Sequence, residues 1–191
     1  EKGVVYVKIN KNGTRYHVFG THVQADEPPS SGLTPRHVRK SQFQKIKNFI
    51  DEKNIPASDA VIIAGDLNVD MHTNQDEYND MLQTLNAAHP SLTGHPYSID
   101  GKLNDLNDHG GAQQLLDYVL YSKAHKQPAK GWQQLPLAGN RVMFYRSDSP
   151  WREFSTERYI WDISDHYPVF GWLQFVSIWD RRWVPGEYIP R

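Results

Sequence analysis

Two short stretches hold the residue types that hydrolysis needs. Val61-Ile62-Ile63-Ala64-Gly65-Asp66-Leu67-Asn68 runs from apolar residues to a carboxylate and an amide. Ile163-Ser164-Asp165-His166-Tyr167-Pro168-Val169 sets a carboxylate beside an imidazole. Asp66 and Asn68 are two apart, so on an extended chain they point the same way. Together they can orient a phosphate and an attacking water, or hold a cation through its water shell. A Gly-Asp step can equally cap a turn. His166 is the side-chain type that titrates near neutral pH, which suits a general base. On a strand, Asp165 and His166 face opposite sides, one toward a ligand and the other steering from behind; a satisfied loop histidine is the plainer alternative. His22 closes the strand-like Gly20-Thr21-His22-Val23-Gln24 and is a third candidate, structural or catalytic. Asp117, in Leu116-Asp117-Tyr118, is a carboxylate inside an apolar strand. Burying it unpaired is costly, so it must have a partner.

The other histidines carry less. His17 alternates with apolar neighbours and is expected to face solvent or a sheet edge. His37 falls on a helix among basic residues, and His72, His89, His95, His109 and His125 fall in loops or at element ends. No pair has the His-Glu-x-x-His spacing of a zinc protease.

The elements that must position these groups are legible from periodicity. Val4 to Ile9 and Arg15 to Thr21 read as a hairpin around Asn10-Lys11-Asn12-Gly13. Thr34-Pro35 reads as a helix start, with Thr as N-cap and Pro in the first turn. Val38, Phe43, Ile46, Phe49 and Ile50 then share a helical face, and Pro56 marks the end. Arg36, Arg39, Lys40, Lys45 and Lys47 read as the solvated face of that helix. Val61 to Ala64 predicts a strand covered on both sides, and Tyr78, Met81, Leu82 and Leu85 predict a helix over about 75–86. Residues 91–113 read as a long surface loop, Leu115 to Tyr121 and Val169 to Val176 as strands, and 128–155 resists assignment. Alternating strands and helices with hairpin signals favour a mixed α/β layered fold.

The chain has 191 residues, enough for one sizeable core. Its net charge of −1 weighs against bulk attraction to a polyanion. There is no cysteine, hence no disulfide framework and no thiolate zinc site. No apolar run approaches the roughly 20 residues of a spanning helix, and no signal peptide is visible. The chain passes from Glu1-Lys2-Gly3 directly into a strand pattern, so the expectation is a partial domain.

Taken in order, Gly20-Thr21-His22-Val23-Gln24, Ala64-Gly65-Asp66-Leu67-Asn68-Val69, Leu116-Asp117-Tyr118-Val119 and Ser164-Asp165-His166-Tyr167-Pro168-Val169 resemble the endonuclease/exonuclease/phosphatase superfamily, the DNase I-like fold. The pattern is most similar to the bacterial neutral sphingomyelinases, the secreted haemolytic sphingomyelinase C group. Thr93-Gly94-His95 and Ser149-Pro150-Trp151 add to the resemblance. It spans about residues 3–176, taken as a partial phosphodiesterase domain over 1–176, and leaves 177–191 as an aromatic and basic tail. The resemblance implies a four-layered α/β sandwich, present in part, and Mg²⁺-dependent hydrolysis of sphingomyelin to ceramide and phosphocholine. It implies His166 as general base and His22 as general acid. Asp66 and Asn68 would orient water, phosphate and metal, with Asp165 as a further metal-site residue and Asp117 in support. An Asn and a Glu of the metal site would lie upstream of residue 1. The expected partner is sphingomyelin at a host membrane surface, met by a secreted monomer that binds no nucleic acid. A hairpin over 151–161, together with Met143, Phe144 and Tyr145, is the expected lipid contact. Two alternatives stand beside this: a non-catalytic lipid- or cell-binding relative, and a DNase-like nuclease, for which no clear basic stripe is present.

Overall fold

Hydrophobic alternation sets the central sheet. In the computed structural model, residues 2–11, 13–27, 32–104, 106–107, 111–136, 141–145, 159–162 and 164–175 are described. The hairpin is present as β1 (Val4–Lys11) and β2 (Thr14–His22), paired antiparallel from Val4 opposite Thr21 to Lys11 opposite Thr14. Helix α1 (Pro35–Glu52) begins where the sequence places it: the Thr34 side chain accepts from the His37 amide, and Pro35 sits in the first turn. It carries the chain across to β3 (Ala60–Asp66), parallel to β2. Helix α2 (Gln75–Leu85) and the short β4 (Ala87–Ala88), β5 (Ser91–Gly94), β6 (Ile99–Asp100) and β7 (Gln113–Gln114) follow. Then come β8 (Asp117–Ser122), β9 (Lys130–Leu135), β10 (Arg141–Tyr145), β11 (Tyr159–Asp162) and β12 (Phe170–Gln174).

The main sheet runs β1-β2-β3-β8-β4, and a smaller one runs β12-β9-β5. Phe19, Ile63, Tyr118 and Leu120 project from one face of the main sheet and are buried with Phe43, Ile46 and Ile50 of α1 and Met81 and Leu85 of α2. Both helices end shortly before a strand. Lys53 caps α1, ahead of Pro56, and Asn86 caps α2 in the left-handed conformation. On β3, Val61 and Ile63 are buried, whereas Ile62 and Ala64 on the opposite face are only partly covered by described residues.

Three expectations need correction. His17 is buried, not solvent-facing: it shares the inward side of β2 with Phe19 and lies between the Tyr6 hydroxyl at 2.8 Å and Asp59 at 3.1 Å. Arg39 is not part of a wet face. It is 2% exposed, donates to both carboxylate oxygens of Glu77, and reaches Asp26 at 2.7 Å. Residues 91–113 are not a featureless loop, because they supply β5, β6 and β7 and bury Ser98, Asp100 and Asn104. The stretch 128–155 supplies β9 and β10. The hairpin expected within 151–161 and the tail over 177–191 lie outside the described residues, apart from the strand β11.

Gly65 controls how β3 ends. Its φ is +136°, and a Cβ there would collide with the Thr21 carbonyl on β2. Gly65→Ala is therefore expected to destabilise by at least about 2 kcal/mol, read by urea denaturation. Glu77→Ala removes the buried carboxylate partner of Arg39 and leaves the largely exposed Asp26 to balance it, and is expected to cost about 3 kcal/mol in the same measurement.

Candidate active site

The register of the main sheet aligns three polar residues at one end. His22 is opposite Asp66 across β2 and β3, and Asp66 is opposite Asp117 across β3 and β8. These strand ends are stitched together by the backbone. The Val23 amide donates to the Asp66 carbonyl at 3.0 Å and the Leu67 amide to the Leu116 carbonyl at 2.9 Å. The buried Asp70 accepts from the Leu115 amide at 3.1 Å, tying the exit of β3 to the entry of β8.

His22 Nε2 lies 3.3 Å from Asp66 Oδ2, and the His22 side chain is more than half exposed. His166 Nδ1 donates to Asp117 Oδ2 at 2.7 Å, which supplies the partner that Asp117 requires. Since a carboxylate can only accept, Nδ1 carries the proton and Nε2 is left as the basic nitrogen. Asp66, Asp117 and His166 each bring a ligand atom to within 4.8 Å of the others.

Asn68 and Asp165 are placed differently from the extended-chain picture. Asn68 has φ +49°, and its amide donates to Asp66 Oδ1 at 2.9 Å, so the two residues form a side-chain-closed turn. Its side-chain Nδ2 donates to the Val23 carbonyl at 3.2 Å, fixing the exit of β2 against that of β3. Asp165 and His166 lie in a bend, not a strand, because the Ser164 hydroxyl accepts from the His166 amide at 3.3 Å. Asp165 is exposed and stands outside the Asp66, Asp117 and His166 group. Two contributors escape the sequence reading: Ser98, whose hydroxyl binds the amide of Asp117, and Asn104, whose amide binds the Ser164 carbonyl.

Electrostatics follow from this packing. Burial, then the adjacent Asp117 charge, push the Asp66 carboxyl above its ordinary range; His166, the Asn68 amide and His22 only partly offset them. For His166, burial favours the neutral ring, but the hydrogen bond and charge of Asp117, with Asp66 and Asp165 behind it, outweigh burial and raise its pKa. The two carboxylates fit a hard divalent cation: oxygen donors suit Mg²⁺, which is commonly held by one or two carboxylates with several waters retained. The Asp117 charge, second to burial in raising the Asp66 proton affinity, would also attract a cation placed beside the pair.

The arrangement gathers two carboxylates and two imidazoles at the end of a layered α/β sheet. The model of the Endonuclease/Exonuclease/phosphatase family matches residues 2–166, and the chain belongs to that family. Its similarity is closer to particular members. It is 41% identical over 177 residues to a sphingomyelinase C of Leptospira interrogans, covering 90% of this chain and 28% of that protein. It is 38% identical to a sphingomyelinase C of Bacillus cereus, covering 88% and 51%. The solved sphingomyelinase C of Streptomyces griseocarneus superposes with a TM-score of 0.77 at 37% identity, over 89% of this chain and 57% of that one. Staphylococcus aureus beta toxin with bound magnesium ions gives 0.73 at 34% identity, over 91% and 58%. The chain thus spans about a quarter to a half of the length of the curated relatives it matches, and the fold is the DNase I-like α/β fold of these structures in part.

The His166–Asp117 pair has a sign that can be checked. Without metal, His166 is expected to titrate above its ordinary value of 6.5. Asp117→Asn removes the main opposing contributions and leaves burial against the weaker Asp66 and Asp165 charges, so the titration should move down. The pair's stabilisation is fully present below about 6.5 and is lost as pH rises through the raised folded-state value. Histidine Cε1–H NMR titration reads the pKa, and urea midpoints across that range read the stability, which should flatten in Asp117→Asn.

Proposed function

We propose that the protein is a divalent-cation-dependent phosphodiesterase that hydrolyses sphingomyelin to ceramide and phosphocholine. The observation that carries the chemistry is the row His22, Asp66, Asp117 with His166 closing it, which sets two imidazoles on either side of a carboxylate pair. The substrate follows from the similarity to sphingomyelinases C.

In this reading His166 is the general base. Asp117 holds Nδ1–H, so Nε2 is presented to the attacking water and takes its proton. His22 is the general acid: it is exposed enough to meet a leaving alkoxide, and Asp66 orients its ring. Asp66 and Asp117 are the residues that would hold a divalent cation, with Asn68 fixing Asp66 through its backbone amide and Asp165 acting on the His166 ring through its charge. A bound Mg²⁺ would neutralise charge developing on the phosphoryl oxygens. The two histidines stand apart, His22 beside Asp66 and His166 beside Asp117, so that one can take a proton while the other gives one.

The protein is further proposed to be secreted and to act at target-cell membranes as a monomer. A membrane-surface substrate agrees better than nucleic acid with a net charge of −1. No helix of the described residues is long and apolar enough to cross a membrane.

Phosphocholine release from sphingomyelin liposomes tests the reading. Release by the full-length protein is expected with Mg²⁺, is expected to stop with EDTA, and should fall by about 10²-fold or more in His166→Ala. Phosphatidylcholine liposomes should be cleaved more slowly; equal rates would replace sphingomyelin by a wider phospholipid substrate class. Sedimentation with liposomes and no hydrolysis would replace catalysis by lipid binding.

A further inference from the structure

The Asp117–His166 pair is built from segments 49 positions apart, and no strand pairing joins them. Something must fix the distance between the entry of β8 and the bend at 164–166. Ser98, which is 0% exposed, touches both sides. Its hydroxyl accepts from the Leu116 amide at 2.9 Å and the Asp117 amide at 3.2 Å. Its carbonyl accepts from the Tyr167 amide, next to His166, at 2.8 Å. Its own amide donates to the Gln114 carbonyl at 2.9 Å. One buried residue therefore binds the backbone of Asp117 with its side chain and the backbone beside His166 with its main chain.

Asn104 supplies the second anchor. It is 4% exposed, and Nδ2 donates to the Ser164 carbonyl at 2.9 Å. Its backbone is tied to the same loop, with its amide on the Asp100 carbonyl at 2.9 Å. Ser98 and Asn104 thus bracket Asp165 and His166 from both sides, at Ser164 and at Tyr167. We propose that Ser98 and Asn104 are positioning residues that set the placement of His166 against Asp117. The inference rests on the acid–base reading above. Neither residue needs to touch substrate. Removing the Ser98 hydroxyl takes an acceptor from two amides at the entry of β8 and lets Asp117 shift while the strand remains paired to β3. A displacement of about 1 Å at such a site can cost about 10²-fold in rate.

The test compares Ser98→Ala and Asn104→Leu with Ser122→Ala. Ser122 is also buried and hydrogen-bonded, but lies at the far end of β8. With sphingomyelin liposomes and Mg²⁺, kcat is expected to fall about tenfold to a hundredfold in Ser98→Ala and in Asn104→Leu, with KM within about twofold. Ser122→Ala is expected to keep the wild-type kcat. The His166 Cε1–H resonance, assigned by its absence in His166→Gln, should move in both test variants and stay in Ser122→Ala. That spectroscopic arm needs no turnover, so a wild-type protein inactive on sphingomyelin would fail the functional reading and leave this one to be decided by the resonance. An unmoved resonance in both test variants, or an equal shift in Ser122→Ala, would overturn the proposal. Should Ser98→Ala not fold, Asn104→Leu decides it in the same two readouts.

Discussion

Two carboxylates on neighbouring strands, Asp66 and Asp117, are held directly opposite each other by the β3–β8 register. Like charges in that relation are unfavourable, and the surroundings make sense as the answer to that repulsion. His22 stands on one side of the pair and His166 on the other. The Asn68 amide donates to Asp66. The strand exits are tied by backbone hydrogen bonds, so the carboxylates cannot relax apart. A sheet end that concentrates negative charge in this way attracts protons and cations, and both attractions suit the phosphodiester hydrolysis proposed for it.

The residue types that gather at the candidate site stand out in the sequence, but their arrangement is less legible. His22 and Asp66 stand out because each closes a strand-like stretch with a polar group, and Asp117 because it interrupts an apolar strand. Their adjacency was not readable, since it depends on one parallel and one antiparallel pairing between segments far apart in the chain. Local chemistry misled in two places. Asp66 and Asn68 look like same-face strand residues, yet the Asp66 carboxylate captures the Asn68 amide and turns the chain. Asp165 and His166 look like strand neighbours, yet the Ser164 hydroxyl makes a bend of them. The helices, by contrast, were readable nearly to the residue, because caps and period are local signals.

Buried polar residues were the main class that sequence reading missed. His17, Arg39 and Ser98 have ordinary surface chemistry, and each is buried because of one distant partner: Asp59, Glu77 and the entry of β8. Such groups rigidify a fold when all their bonds are made and weaken it when one is lost. Residues 95–107 show the point most clearly. Their composition is that of a surface loop, yet Asp100 is fully enclosed, accepting from His95 and Gln113.

The bonds that complete the site join residues far apart in sequence: 49 positions separate His166 from Asp117, and 60 separate Asn104 from Ser164. Helices α1 and α2 can form from neighbouring residues, but this end of the sheet cannot. Loop closure over such spans delays non-local contacts and slows folding. Helix content is therefore expected to be acquired before the His166–Asp117 geometry. During synthesis the His166–Asp117 pair cannot form until residues 164–166 have emerged.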